Sequence, residues 1–204
     1  MHRFRLFFLV ILTGLGLAHS DVSHATVTFF GSVMPDPPGD GDVEATLLVG
    51  LQGDDNPDRR GYVRIDGGSG IEYDKLVIGE DEGYRGEVII AGTVDPGGQS
   101  LLRLEEAGSS SAPTLQVGRQ GVGRLTISGG ATLEFENNAA DLSIGVEPTG
   151  VGILTVDGEF ALLVVPDNHL IGDEGLGRME VLNGGTVITS DSINTARLGA
   201  SATG

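Results

Sequence analysis

The chain has 204 residues, enough for one domain with a real core, and carries a formal net charge of −17 with a single lysine, Lys75. That charge repels phosphate backbones and anionic membrane surfaces, so nucleic acid is excluded as the expected partner. Cysteine is absent, which removes disulfides, thiolate zinc sites and cysteine nucleophiles.

In chain order, the first element is a targeting signal. Arg3 and Arg5 precede an apolar run over residues 6–18, broken only by Thr13, Gly14 and Gly16. This has the length of a signal-peptide core and is short of the roughly 20 residues that cross a bilayer. An uncleaved anchor is the alternative. Two small-x-small triplets offer cleavage before Asp21 or before Thr26, and Thr26 is preferred because Thr26-Val-Thr-Phe-Phe30 reads at once as a strand. Residues 1–25 are therefore expected to be a signal peptide. Residues 26–46 are expected to be a capping strand and a Pro-rich linker. No other apolar run is long enough to span a membrane, so the mature chain is expected to be secreted or held at the cell surface.

From residue 47 the chain repeats itself. An aliphatic pair followed by glycine recurs as Leu47-x-Val49-Gly50, Leu76-x-Ile78-Gly79, Leu115-x-Val117-Gly118 and Leu142-x-Ile144-Gly145, with weaker copies at Ile171-Gly172 and Leu198-Gly199. The last four copies keep a spacing of roughly 27 residues. An earlier, longer gap holds residues 96–113, rich in Gly and Ser, read as an insertion. A second alternating stretch follows each pair: Val63-x-Ile65, Val88-x-Ile90, Leu125-x-Ile127, Leu154-x-Val156 and Met179-x-Val181. A third is clearest in Ala131-Thr-Leu-Glu-Phe135. Alternation of period two means strands with one buried face, and no helical stripe is visible after residue 25.

Three strands joined by glycine turns, repeated at constant length, predict an all-β chain wound into a parallel β-helix, a β-solenoid. One coil cannot bury its apolar edge, but stacked coils can, and one column would be Val49, Ile78, Val117, Ile144, Ile171 and Leu198. A sandwich does not explain the constant repeat, and a propeller blade needs about 40–45 residues. The final copy stops inside its corner, before its second strand. An incomplete array is therefore expected over residues 47–204, fraying from Leu182 onward and associating through that end.

Leu115-Gln-Val-Gly-Arg-Gln-Gly-Val-Gly-Arg-Leu-Thr-Ile-Ser-Gly-Gly-Ala-Thr-Leu resembles the repeat of bacterial autotransporter-associated and PEP-CTERM-associated β-helix proteins. The resemblance covers residues 47–204 and is best at 115–135. It implies a large exported or surface-displayed passenger, and it implies no particular chemistry. The chain departs from that family in showing neither a Pro-Glu-Pro tail with a following hydrophobic helix nor the strands of a membrane barrel, so the resemblance leaves the mode of anchoring open.

Catalytic groups are sparse. His169, the only histidine after residue 25, stands where the other copies have Leu47, Leu76, Leu115 and Leu142; a half-exposed coil-edge substitution is favoured over a buried base. Ser109-Ser-Ser111 has no nucleophile elbow around it. Gly118-x-x-Gly121-x-Gly123 and Gly172-x-x-Gly175-x-Gly177 mimic a dinucleotide loop without its helix and read as corners, as does Gly68-Ser-Gly70. The outward position of the second strand runs Arg64, Ile89, Thr126, Thr155, Glu180, with no acidic ladder. In the third strand, Glu72 and Glu134 are kept apart by the coil holding the insertion, so no paired acid and base can be drawn. Acids gather at the first corner: Asp54, Asp55 and Asp58, then Glu80, Asp81 and Glu82, then Asp173 and Glu174. These form a solvated surface, or bind Ca2+ weakly where Asp54 and Asp55 stack on Glu80 and Asp81.

The expected function is that of an exported structural or adhesive cell-surface solenoid, with no catalytic, cofactor or metal-site residues of its own. Its expected partners are cell-surface or extracellular matrix components, glycans among them. The alternative is a polysaccharide-active β-helix enzyme or carbohydrate-binding module. It requires a groove of carboxylates and aromatics, for which the tyrosines are Tyr62, Tyr73 and Tyr84.

Overall fold

The computed structural model describes residues 26–35, 46–52, 59–93, 99–105, 114–136, 140–165, 168–189 and 195–198. The stretch 1–25 expected to be a signal peptide, most of the Pro-rich stretch, Asp54, Asp55, Asp58, Ser109 to Ser111 and the chain after Leu198 lie outside them. Among the described residues every regular element is a strand. In chain order these are β1 (Thr26–Gly31), β2 (Val33–Pro35), β3 (Thr46–Val49), β4 (Arg60–Asp66), β5 (Gly70–Tyr73), β6 (Lys75–Ile78), β7 (Arg85–Ala91), β8 (Leu101–Leu104) and β9 (Thr114–Val117). There follow β10 (Val122–Ser128), β11 (Thr132–Phe135), β12 (Asp141–Ile144), β13 (Val151–Asp157), β14 (Leu162–Val165), β15 (Asn168–Ile171), β16 (Leu176–Leu182), β17 (Thr186–Thr189) and β18 (Thr195–Leu198).

The chain is a parallel β-solenoid with three sheets. The first sheet stacks β3, β6, β9, β12, β15 and β18; the second stacks β4, β7, β10, β13 and β16; the third stacks β5, β8, β11, β14 and β17. Each strand pairs in parallel with the one a coil later, and the turn-to-turn spacing averages about 29 residues. Two N-terminal strands run the other way. β1 pairs antiparallel with β4 and β2 antiparallel with β3, so both cover the first coil.

The register places Val49, Ile78, Val117, Ile144, Ile171 and Leu198 in one column. Inside, Leu47, Leu76, Leu115 and Leu142 form a second column, and Ile65, Ile90, Ile127 and Val156 a third, all fully buried. Each such aliphatic side chain contributes about 1.5–3 kcal/mol on leaving water. Burial falls off at the last coil, where Leu176, Val181, Leu182 and Ile188 are exposed.

The stretch 96–113 contains a core strand and so is not wholly an insertion. β8 lies inside it and is the third strand of the second coil, with Leu102 and Leu104 fully buried. Ser100 anchors its start: its hydroxyl donates to Ala91 O at 2.7 Å and accepts from Gly68 N at 3.3 Å, one coil earlier.

The first corner is built from glycine on glycine. Gly79, Gly118 and Gly145 hold φ of 72°, 71° and 70°, a region costly for other residues. A Cβ on each would meet the second strand of the next coil within 2.3–2.6 Å.

Candidate functional site

The outward rows fall into register as ladders. Arg64, Ile89, Thr126, Thr155 and Glu180 are successive partners along the second sheet. Arg64 turns to Asp66, with Nε donating to Oδ2 at 2.6 Å, and this bond, together with Tyr62, raises the arginine pKa.

On the third sheet Glu72 and Glu134 lie two coils apart, separated by the coil that carries β8, and a cation stands between them. Arg103 sits between Glu72 and Glu134 as the ladder partner of both. Its Nη1 lies 3.4 Å from Glu72 Oε1, and its Nη2 2.7 Å and Nε 2.8 Å from Glu134 Oε1. The Glu134 bond is the main cause of a raised Arg103 pKa. Next along the same face, burial together with the charges of Glu72 and Glu136 pushes the Glu105 carboxyl up. Arg103 is hidden in the sequence because 96–113 reads as a Gly- and Ser-rich insertion; the signal that marks it is the alternation of Leu102 and Leu104 behind Gly97-Gly98.

A second arginine closes the first corner. Arg119 pairs with Glu80 of the preceding coil and, 3.1 Å from Nε to Oε1, with Glu147 of the following one. Gln120 Nε2 donates to the other Glu147 oxygen at 2.6 Å. Asp81 Oδ2 accepts the backbone N–H of Gln52 at 2.6 Å. Among the described residues no group of three or more His, Asp or Glu is arranged to hold a metal ion.

His169 pairs with Leu142 in the inward leucine column and is half-buried, and its Nδ1 is buried without a hydrogen-bond partner. Both Gly-x-x-Gly-x-Gly stretches are corners between a first and a second strand, with no helix behind them.

The concave feature of interest lies on the outer face of the second sheet, at its N-terminal end. A groove of about 330 Å3 is lined by Phe30, Arg60, Tyr62, Arg85, Glu87, Val122 and Arg124, with Gly61 and Gly86 giving backbone only. Phe30 reaches it because β1 runs antiparallel to β4, which sets Phe30 opposite Tyr62. Arg60 and Arg85 are ladder partners, as are Glu87 and Arg124. Gly86 cannot carry a side chain, since a Cβ there would stand 2.3 Å from Val49 O and 2.6 Å from Gly79 N. Of the three tyrosines only Tyr62 lines the groove. Tyr73 is in the core, where burial raises its pKa, and Tyr84 lies beneath Arg59, whose Cζ is 5.7 Å from the ring centre. Such a groove offers guanidinium donors and aromatic faces side by side, a chemistry for binding rather than for bond cleavage.

No family model, curated protein or solved structure matches the chain. No helix of the described residues is long and apolar enough to cross a membrane.

Proposed function

We propose that the chain is the precursor of an exported structural or adhesive solenoid that stands at or beyond the cell surface and has no catalytic activity of its own. The observation that carries this reading is the use made of the outward carboxylates. Glu72 and Glu134 are spanned by Arg103, and Glu80 and Glu147 by Arg119. These acids join neighbouring coils instead of converging on a substrate, which is how a load-bearing surface spends its charge. The leader-like residues 1–25 and the resemblance to autotransporter-associated repeats support export.

The test is expression of the whole chain behind its own N-terminus, followed by fractionation, protease treatment of intact cells and mass spectrometry. Expected is a chain open to external protease that starts at Thr26, or at Asp21. A chain that keeps Met1 and stays protected inside the cell would overturn the reading. A second reading, a carbohydrate-binding module, is favoured by one observation: Phe30 and Tyr62 stand beside Arg85 and Arg124 in the same groove.

A further inference from the structure

We infer that the groove on the second sheet binds a single acidic sugar residue, a uronic or similar carboxylated pyranose carried by an otherwise neutral glycan. This deepens the adhesive reading above and rests on it for biological meaning, though not for the binding itself.

The first argument is charge. Lysine and arginine number 12 against 29 aspartates and glutamates. Arg64, Arg103, Arg119 and Arg178 each pair with a carboxylate of the chain. Arg85 and Arg124 are exposed and make no ion pair among the described residues. Of the described arginines that make no ion pair, Arg59 lies over the Tyr84 ring, and Arg85 and Arg124 line the same groove. Arg85 moreover faces Arg60 on the adjacent strand, about 4.8 Å away by ladder spacing. A guanidinium fork donates two parallel hydrogen bonds to a carboxylate, which a spherical anion matches less well.

The second argument is the aromatic pair. Phe30 is 66% exposed while its neighbour Phe29 packs against the core, and its ladder partner Tyr62 extends the surface. Flat aromatic faces take the C–H face of a pyranose ring, while Glu87 is placed to accept hydroxyl hydrogens. The third argument is size. A groove of about 330 Å3 is at the lower end for ligand sites and accommodates one or two sugar rings. A dense polyanion would have to continue over a protein of charge −17, and this disfavours both polyuronates and single-stranded nucleic acid, which also stacks on aromatics.

The experiment is calorimetry on the purified chain. The probes are an oligosaccharide with one terminal glucuronate, its neutral glucose-ended counterpart, a polyuronate, inorganic sulfate and a single-stranded oligonucleotide. The glucuronate probe should bind about tenfold more tightly than the neutral one. Joint Arg85→Gln and Arg124→Gln substitution should erase that preference, and Phe30→Ala should weaken both sugars, with circular-dichroism melting unchanged. Equal binding of the two sugars, binding of neither at millimolar concentration, or a preference that survives the double substitution overturns the proposal. So does tighter binding of sulfate, polyuronate or oligonucleotide than of the glucuronate probe. A chain that binds but is not exported refutes the reading of its location alone; one that is exported but does not bind refutes this proposal alone.

Discussion

A Cβ on Gly118 would stand 2.5 Å from the amide nitrogen of Gly152, in the next coil. The same approach joins Gly79 to Gly123 and Gly145 to Gly177, so the corner glycine of one coil seats against the second-strand glycine of the following one. Gly118→Ala combines this clash with a left-handed φ and should cost about 3 kcal/mol or more. Gly152→Ala, whose Cβ would meet Val117 O at 2.0 Å, should be comparably damaging. Gly70→Ala is the control: nothing lies within 4 Å of its Cβ position, and its effect should stay within about 0.5 kcal/mol. Urea denaturation of the three variants checks this, and equal losses at Gly70 and Gly118 would refute it.

Arg103→Gln should lower the melting temperature by leaving Glu72 and Glu134 without their shared cation. The pair is largely open to water, so the loss should be visible at low ionic strength and fade near 1 M salt, where the Debye length is about 3 Å. Adding Glu72→Gln and Glu134→Gln to the same chain should recover most of it. A loss independent of salt would assign Arg103 a packing role instead.

The Glu105 carboxyl has a pKa raised by folding, first by burial and then by Glu72 and Glu136. For an acid, a raised folded pKa means that the ionised form disfavours the fold. The penalty is full above the folded pKa and vanishes below the unfolded value, about 4.3. Glu105→Gln should therefore raise the melting temperature at pH 7 and leave it unchanged below about pH 4. Thermal melts of both proteins across that range decide it, and a lower melting temperature for the variant at pH 7 would contradict the assignment.

His169 occupies a leucine position, with Nδ1 buried and unbonded. His169→Leu should stabilise the chain by about 1–2 kcal/mol, by restoring the apolar column and removing an unsatisfied polar atom. Leu142→Ala, in the adjacent coil, should cost about 2–5 kcal/mol. If His169→Leu destabilises instead, the ring makes a contact that its place in the column does not reveal.

Much of the solenoid is readable from residue order because one local feature repeats. Each first strand ends in an aliphatic pair and a glycine, and the glycine must take positive φ where the chain turns. Fixing that point fixes the register, which is why the column from Val49 to Leu198 can be written down from spacing alone. β8 escapes the same treatment because its neighbours are Gly, Ser and Pro, so that four residues of alternation stand isolated in a long polar stretch. The groove is harder still. Arg60 and Arg85 are ladder partners, but the row continues to Val122, and Arg124 stands beside Glu87, so no charge is sustained along a ladder. Phe30 arrives on a strand of reversed direction, and no period relates it to Tyr62.

The strands lie across the axis of the stack, so their hydrogen bonds run along it. Tension applied between the two ends of such a rod loads those bonds one coil at a time, by peeling, where a shear geometry would load a whole strand at once. A coil of roughly 27 residues that peels releases close to 90 Å of chain. Arg103 and Arg119 each grip the coils on either side, so they set where peeling pauses: release of one coil leaves each clamp attached by its remaining partner. Under load the protein would behave as an extensible tether, lengthening by about one coil at a time.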